Sequence, residues 1–146
     1  MEEIERMLML YPIRKAKIED MKLQLEEMEF EYSLKAQQYE ERVQTSPQCP
    51  NNDTLLLQKE RIEKLIRYNE ITCKRVEKWL DYIREEKARE VIRNICFLKK
   101  SKSDTARIID RSIKQVSNLY KKGLEEIHKT LTLDDSNLIE KLQVNC

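Results

Sequence analysis

One glycine and three prolines in 146 residues leave this chain almost without the punctuation that hairpins and tight strand connections need. Long stretches therefore run uninterrupted, and what can fill them is helix. Charged residues make up 38% and hydrophobic ones 40%, with only nine aromatics among them. A core for such a chain has to come from the faces of amphipathic helices rather than from a thick interior. The expectation is an all-α protein: a long N-terminal helical hairpin or coiled coil, followed by a small C-terminal helix-turn-helix head.

From the N-terminus, Ile4, Met7, Tyr11, Ile18, Met21, Leu25, Met28, Tyr32 and Tyr39 recur at heptad-like spacing. Arg14 and Lys35 occupy two positions of that seam, which a long coiled coil disfavours. Pro12 either ends a first short helix or opens the next as a first-turn residue, and the main helix is expected from about Pro12 to about Val43. Its apolar stripe is too narrow to hold a helix alone, so it needs a partner. Residues 1–44 are thus amphipathic helix, and 45–53, Thr-Ser-Pro-Gln-Cys-Pro-Asn-Asn-Asp, form the clearest linker.

A second long helix is expected over 54–83, capped by Asp53 or Thr54. Its apolar positions are Ile62, Leu65, Ile66, Asn69, Cys73, Val76, Trp79, Leu80 and Ile83. The two long helices fold back on each other, or the first pairs with its copy in a homodimer; both arrangements bury the same stripe. Asn69 at the seam reads as a solvated edge residue in preference to a register-setting contact.

Residues 84–130 read as the head. A support helix carries Ala88, Val91, Ile92, Ile95, Cys96 and Leu98 on its inner side, to pack on Ala106, Ile109, Val116, Tyr120 and Leu124. A unit this small needs help from the long helices. Ser103 is expected to cap a helix over Asp104–Ile109, Asp110-Arg111 to make the turn, and Ser112 to cap a second helix over Ile113–Glu126. Small Ala106 permits a close crossing. With Val116, Leu119 or Tyr120, and Gly123 turned inward, Lys114, Gln115, Ser117, Asn118, Lys121 and Lys122 are left on the outer arc, and Ser112 stands at its start.

Those residue types suit duplex DNA. Gln and Asn pair with adenine edges, Lys reaches guanine or phosphate, and the N-terminal part of a recognition helix is where such side chains meet bases. Charge is distributed accordingly, although the net value for the whole chain is only +1. Residues 1–50 hold seven basic and eleven acidic side chains, whereas residues 84–130 hold thirteen basic and seven acidic ones. The positive excess therefore lies on the segment proposed to meet phosphates.

Little else in the chain offers chemistry. Cys49, Cys73, Cys96 and Cys146 form no Cys-x-x-Cys pair, which argues against a zinc or redox site. His128 has no carboxylate or cysteine at ligand spacing and reads as a surface or helix-end residue. Glu26-Glu27 and Glu40-Glu41 read as solvated faces, and Trp79 and Tyr82 as packing between hairpin and head. No enzyme activity, metal or cofactor is expected, and the absence of a signal peptide or apolar span places the protein in the cytoplasm, with no membrane partner. The tail, 131–146, is expected to start a short helix after Asp134-Asp135-Ser136.

Thr105-Ala106 through Val116 to Gly123-Leu124, with Ser112 at the cap, resembles the region 4 helix-turn-helix of sigma factors. The whole chain, with Tyr11-Pro12, the segment Lys17–Glu27, a proline-asparagine linker and this head, resembles phage transcriptional regulators of the ArpU and RinA type. That resemblance implies activation of late phage genes through double-stranded DNA. The motif departs from the sigma pattern at Asp110, where glycine is usual, and at Arg111, where an apolar residue is usual; Ile113 is expected to supply the missing contact. The competing reading is a coiled interaction protein that binds RNA polymerase or a phage assembly or packaging partner through its long helices.

Overall fold

The computed structural model describes residues 2–41 and 52–144, with side chains described for 2–38 and 54–133. All regular structure among them is helical: α1 (Glu2–Glu41), α2 (Asn52–Asp81), α3 (Glu86–Ile92) continued by a π-helical turn (Arg93–Phe97), α4 (Lys102–Ile109) and α5 (Ile113–Val144). A long α1/α2 hairpin is followed by a small C-terminal bundle of three helices. The chain divides into two compact units, a hairpin unit (Arg14–Thr72) and a head unit built from Met1–Ile13 with Cys73–Cys146.

α1 is rich in Glu, Lys, Leu and Met, all good helix formers, and opens with Glu2, Glu3 and Glu5, which complement the positive end of the helix dipole. It runs through Pro12 without ending there, contrary to the expected break. Proline removes the N–H that would serve the carbonyl one turn back. The carbonyl so deprived is that of Leu8; one residue on, the Met9 carbonyl accepts from the Lys99 ammonium at 2.6 Å. Val43 and most of the expected linker lie outside the described residues; its last two positions, Asn52 and Asp53, already belong to α2.

Within the hairpin unit the two helices run antiparallel. Arg14 meets Asn69 and Glu29 meets Lys59, so advancing along α1 means retreating along α2. Ile18 and Ile66 are buried in the seam. Asn69 is buried as well, against the expectation of a solvated edge. Its Oδ1 accepts from Arg14 Nη1 at 3.0 Å and its Nδ2 donates to the Leu65 carbonyl at 2.9 Å. The two polar seam residues thus pair across the seam, which ties the register of the helices to one pairing, although Arg14 Nε is buried without a hydrogen-bond partner. Leu65 and Tyr32, expected in the seam, are exposed.

The head unit has two small apolar clusters. One joins Ile4 and Leu8 of α1, Val76, Trp79 and Leu80 of α2, Ile83, Ala88, Ile92, Cys96, and Leu124 and Ile127 of α5. The other is Val91, Ala106, Ile109 and Val116. Ile95, Leu119 and Tyr120 pack against both and weld them. The help the small bundle needs therefore comes from both long helices, and Leu8, fully buried, is a core residue outside the heptad reading. Burying a side chain of its size contributes roughly 1.5–3 kcal/mol. Leu98, expected inside, is exposed beside Lys99, whose left-handed backbone (φ 56°) turns the chain out of the π-helical turn.

Gly123, the lone glycine, lies buried in the middle of α5. A Cβ there would collide with Ile92 Cδ1, so its absence lets α3 and α5 approach closely. The inward stripe of α5, Val116, Tyr120, Gly123, Leu124 and Ile127, keeps three-four spacing. No break follows it: α5 continues to Val144, so the tail is the end of one long helix rather than a separate short one.

Candidate nucleic-acid interface

The site begins with how α4 stops. Asp110 adopts the left-handed conformation, φ 57° and ψ 52°, and its N–H and that of Arg111 both reach the Ala106 carbonyl. This is the Schellman closure usually made by glycine; Asp, whose short polar side chain tolerates that backbone, takes its place. α4 itself is capped by Ser101, whose Oγ accepts from Asp104 N at 3.1 Å. Ser103, the expected cap, lies inside the first turn of α4, because the helix begins two residues earlier than the apolar pattern suggests.

Three residues, Asp110 to Ser112, connect α4 to α5. Ser112 Oγ accepts from Gln115 N at 3.2 Å while Gln115 Oε1 accepts from Ser112 N at 3.1 Å, a reciprocal capping box. Thr105 and Ala106 of α4 are buried, and Ile109 and Val116 close the crossing from either side of the turn. Ile113 does not supply an anchor: it is 53% exposed, and Arg111 is exposed too. The apolar contact at the crossing is made by Ile109 and Val116 with Val91 and Ala106.

Helical spacing and exposure then sort the candidate residues. Lys114, Asn118 and Lys121 are exposed and align on one side of α5, with half-buried Ser117 at its margin. Gln115 and Lys122 are exposed on an adjoining side. Gln115 Oε1 is engaged in the cap, and the side chain is otherwise exposed. Lys122 Nζ lies 2.7 Å from Glu85 Oε2, and that partner holds its ammonium charged above the ordinary lysine range. It serves the α3 end of the head, where Arg84 N also donates to Glu126 at 3.0 Å. Arg111, one residue before the cap, is an exposed cation that sequence reasoning treated only as a missing anchor.

On its inner side the same helix is held by the N-terminus of the chain. Tyr120 Oη donates to Glu5 Oε1 at 2.7 Å and lies 3.8 Å from Cys96 Sγ. Burial, then the hydrogen bond to Glu5, raises the tyrosine's pKa; burial also pushes the Cys96 thiol up to about 11. Both are neutral packing groups at ordinary pH. Tyr11 stacks on Phe97 with ring centroids 4.2 Å apart. Trp79 is buried in the head core with half-buried Tyr82 beside it, so neither forms an open stacking platform.

Elsewhere the chemistry is sparse. His128 is exposed in mid-helix rather than at a helix end, and among the described residues no group of His, Cys, Asp and Glu is placed to hold a metal ion. Among them, too, no helix is long and apolar enough to cross a membrane. A groove of about 380 Å³ in the hairpin unit, lined by Met28, Tyr32, Leu55 and Leu56, is apolar apart from Ser33 and the Glu29–Lys59 pair. No family model, curated protein or solved structure matches the chain.

Proposed function

We propose that this chain is a sequence-specific, double-stranded DNA-binding transcription regulator, of the phage late-gene kind that its sequence resembles. In this reading the N-terminal part of α5 enters a major groove. Lys114, Asn118 and Lys121 face the DNA, the Gln115 amide donates to a base edge, and Arg111 contacts a phosphate beside the turn. The observation that carries the reading is the α4–α5 junction: a left-handed Asp110, a capping box at Ser112, and a polar, basic arc left bare immediately after it. A short capped turn of this kind fixes one helix against another while leaving the second helix's first turns clear. A helix of purely structural use has no need for that cleared face to be cationic. Lys122, engaged with Glu85, has a smaller role than its type suggests.

Binding driven by lysines is a counterion-release equilibrium, so affinity falls steeply with salt. Fluorescence anisotropy on labelled duplex between about 50 and about 200 mM salt measures that slope. Lys114→Ala and Lys121→Ala are each expected to flatten it by about one phosphate's worth. Parental affinity and slope in both variants would remove α5 from the interface.

A further inference from the structure

The hairpin unit buries one face of each helix and leaves a second apolar stripe on each. On α1, Leu23, Phe30 and Leu34 recur seven and four residues apart on the side away from Ile18 and Leu25; Leu23 is 62% and Phe30 65% exposed. On α2, Leu57, Leu65, Tyr68 and Ile71 are likewise exposed, Leu57 at 65% and Tyr68 at 62%. Singly exposed apolar residues are ordinary, but each of these helices carries several of them on its outer side.

The charges beside the two stripes differ in sign. Glu19, Asp20, Glu26, Glu27 and Glu31 flank the α1 stripe, are all exposed, and share that arc with no cation. Arg61, Lys64 and Arg67 flank the α2 stripe, with Glu60 the one acid among them. The ion pairs described within the hairpin unit, Lys22–Glu70 and Lys59–Glu29, both bridge the α1–α2 seam, and of the outer α1 acids Asp20 accepts from Gln24 Nε2 at 2.9 Å. One face is apolar and acidic, the other apolar and basic, and both belong to the same chain.

We infer that the hairpin is a self-association module, in which the outer α1 face of one copy takes the outer α2 face of a second copy. The apolar stripes supply the contact and the opposite charges choose the pairing, excluding α1 on α1 and α2 on α2 through like-charge repulsion. Because two different faces meet, the contact is head-to-tail: it adds copies rather than stopping at a pair, unless a ring closes. The inference does not depend on DNA binding, and it is tested without DNA.

The test is sedimentation equilibrium of the full chain over about a hundredfold range of concentration, with mass action expected to raise the average mass above the monomer value. Two variants carry reversed faces: Glu26→Lys, Glu27→Lys and Glu31→Lys together, and Arg61→Glu with Lys64→Glu. All five positions are exposed, and the exchanges are between good helix formers, so each variant keeps its fold, checked by circular dichroism. Each reversed variant alone is expected to stay monomeric, because both its outer faces then carry one sign. An equimolar mixture regains association, because each reversed face meets its complement in the other variant. A parent that stays monomeric throughout, reversed variants that associate like the parent, or a mixture that stays monomeric would each overturn the inference; the first would leave the stripes to a partner of another kind.

Discussion

Replacing Gly123 by alanine sets two well-known effects against each other in one place. Alanine is the better helix former in mid-helix by about 1 kcal/mol, and Gly123 has no positive φ to protect, so propensity alone predicts a more stable protein. Packing opposes it. The new methyl would collide with Ile92 Cδ1 and sit 3.3 Å from Ile92 Cγ1 and 3.6 Å from Ile83 Cδ1, and both isoleucines are fully buried. Forcing a methyl into such a place costs roughly 1–3 kcal/mol, so Gly123→Ala should destabilise by up to about 2 kcal/mol. Ile92→Val removes the atom that clashes and, alone, costs about 0.5–1.5 kcal/mol. In the double variant the clash is gone while the propensity gain remains, so it should lie near the parent and the cycle should show a coupling of about 1–3 kcal/mol, the size of the clash. Urea titrations of all four proteins, followed by circular dichroism, measure this directly. A Gly123→Ala protein more stable than the parent, with additive effects in the double variant, would refute the close α3–α5 approach.

Asp110→Gly should stabilise the head by up to about 1 kcal/mol by relieving a left-handed non-glycine residue, whereas Asp110→Val should destabilise it; the order of the thermal midpoints checks this. Asn69→Leu strands the partly buried Arg14, at a cost of about 1–3 kcal/mol, and adding Arg14→Leu should recover much of that loss; unfolding curves of the single and double variants decide it. Gln115→Glu keeps a capping-box acceptor but replaces the amide donors by a negative charge, so the melting temperature should hold while DNA affinity falls; equal affinity would exclude Gln115 from the interface. The Cys96 thiol, moved from an ordinary 9.0 up to about 11, binds its proton more tightly when folded. Stability from this group is complete below about pH 9 and declines as pH rises toward 11, so Cys96→Ala should flatten the loss of stability over that window.

Much of the fold was legible because it depends on periodicity. The three-four spacing of Val116, Tyr120, Gly123 and Leu124 identified the inner side of α5, and the near absence of glycine and proline excluded strand connections. What stayed hidden depends on who meets whom. Leu8 stands beside the expected seam, four residues after Ile4 and three before Tyr11, and the convergence of two long helices on the small bundle buries it. Asn69 read as an edge residue because its partner, Arg14, is 55 positions away. Pro12 did not break α1, since packing outweighs one missing hydrogen bond when the residues either side are good helix formers. At the interface, the arc of Lys114, Asn118 and Lys121 followed from helical geometry. The engagement of Lys122 with Glu85 did not, because that contact crosses 37 residues.

The central claim is that α5 reads base sequence in duplex DNA. Incubating the purified full chain with a pool of random duplexes and sequencing the retained fraction over successive rounds tests it most directly. The account predicts enrichment of one short motif, lost when Lys114, Gln115 and Asn118 are replaced together by alanine in a protein that still folds. Retention of DNA with no enriched motif, or the same motif from the triple variant, would contradict it.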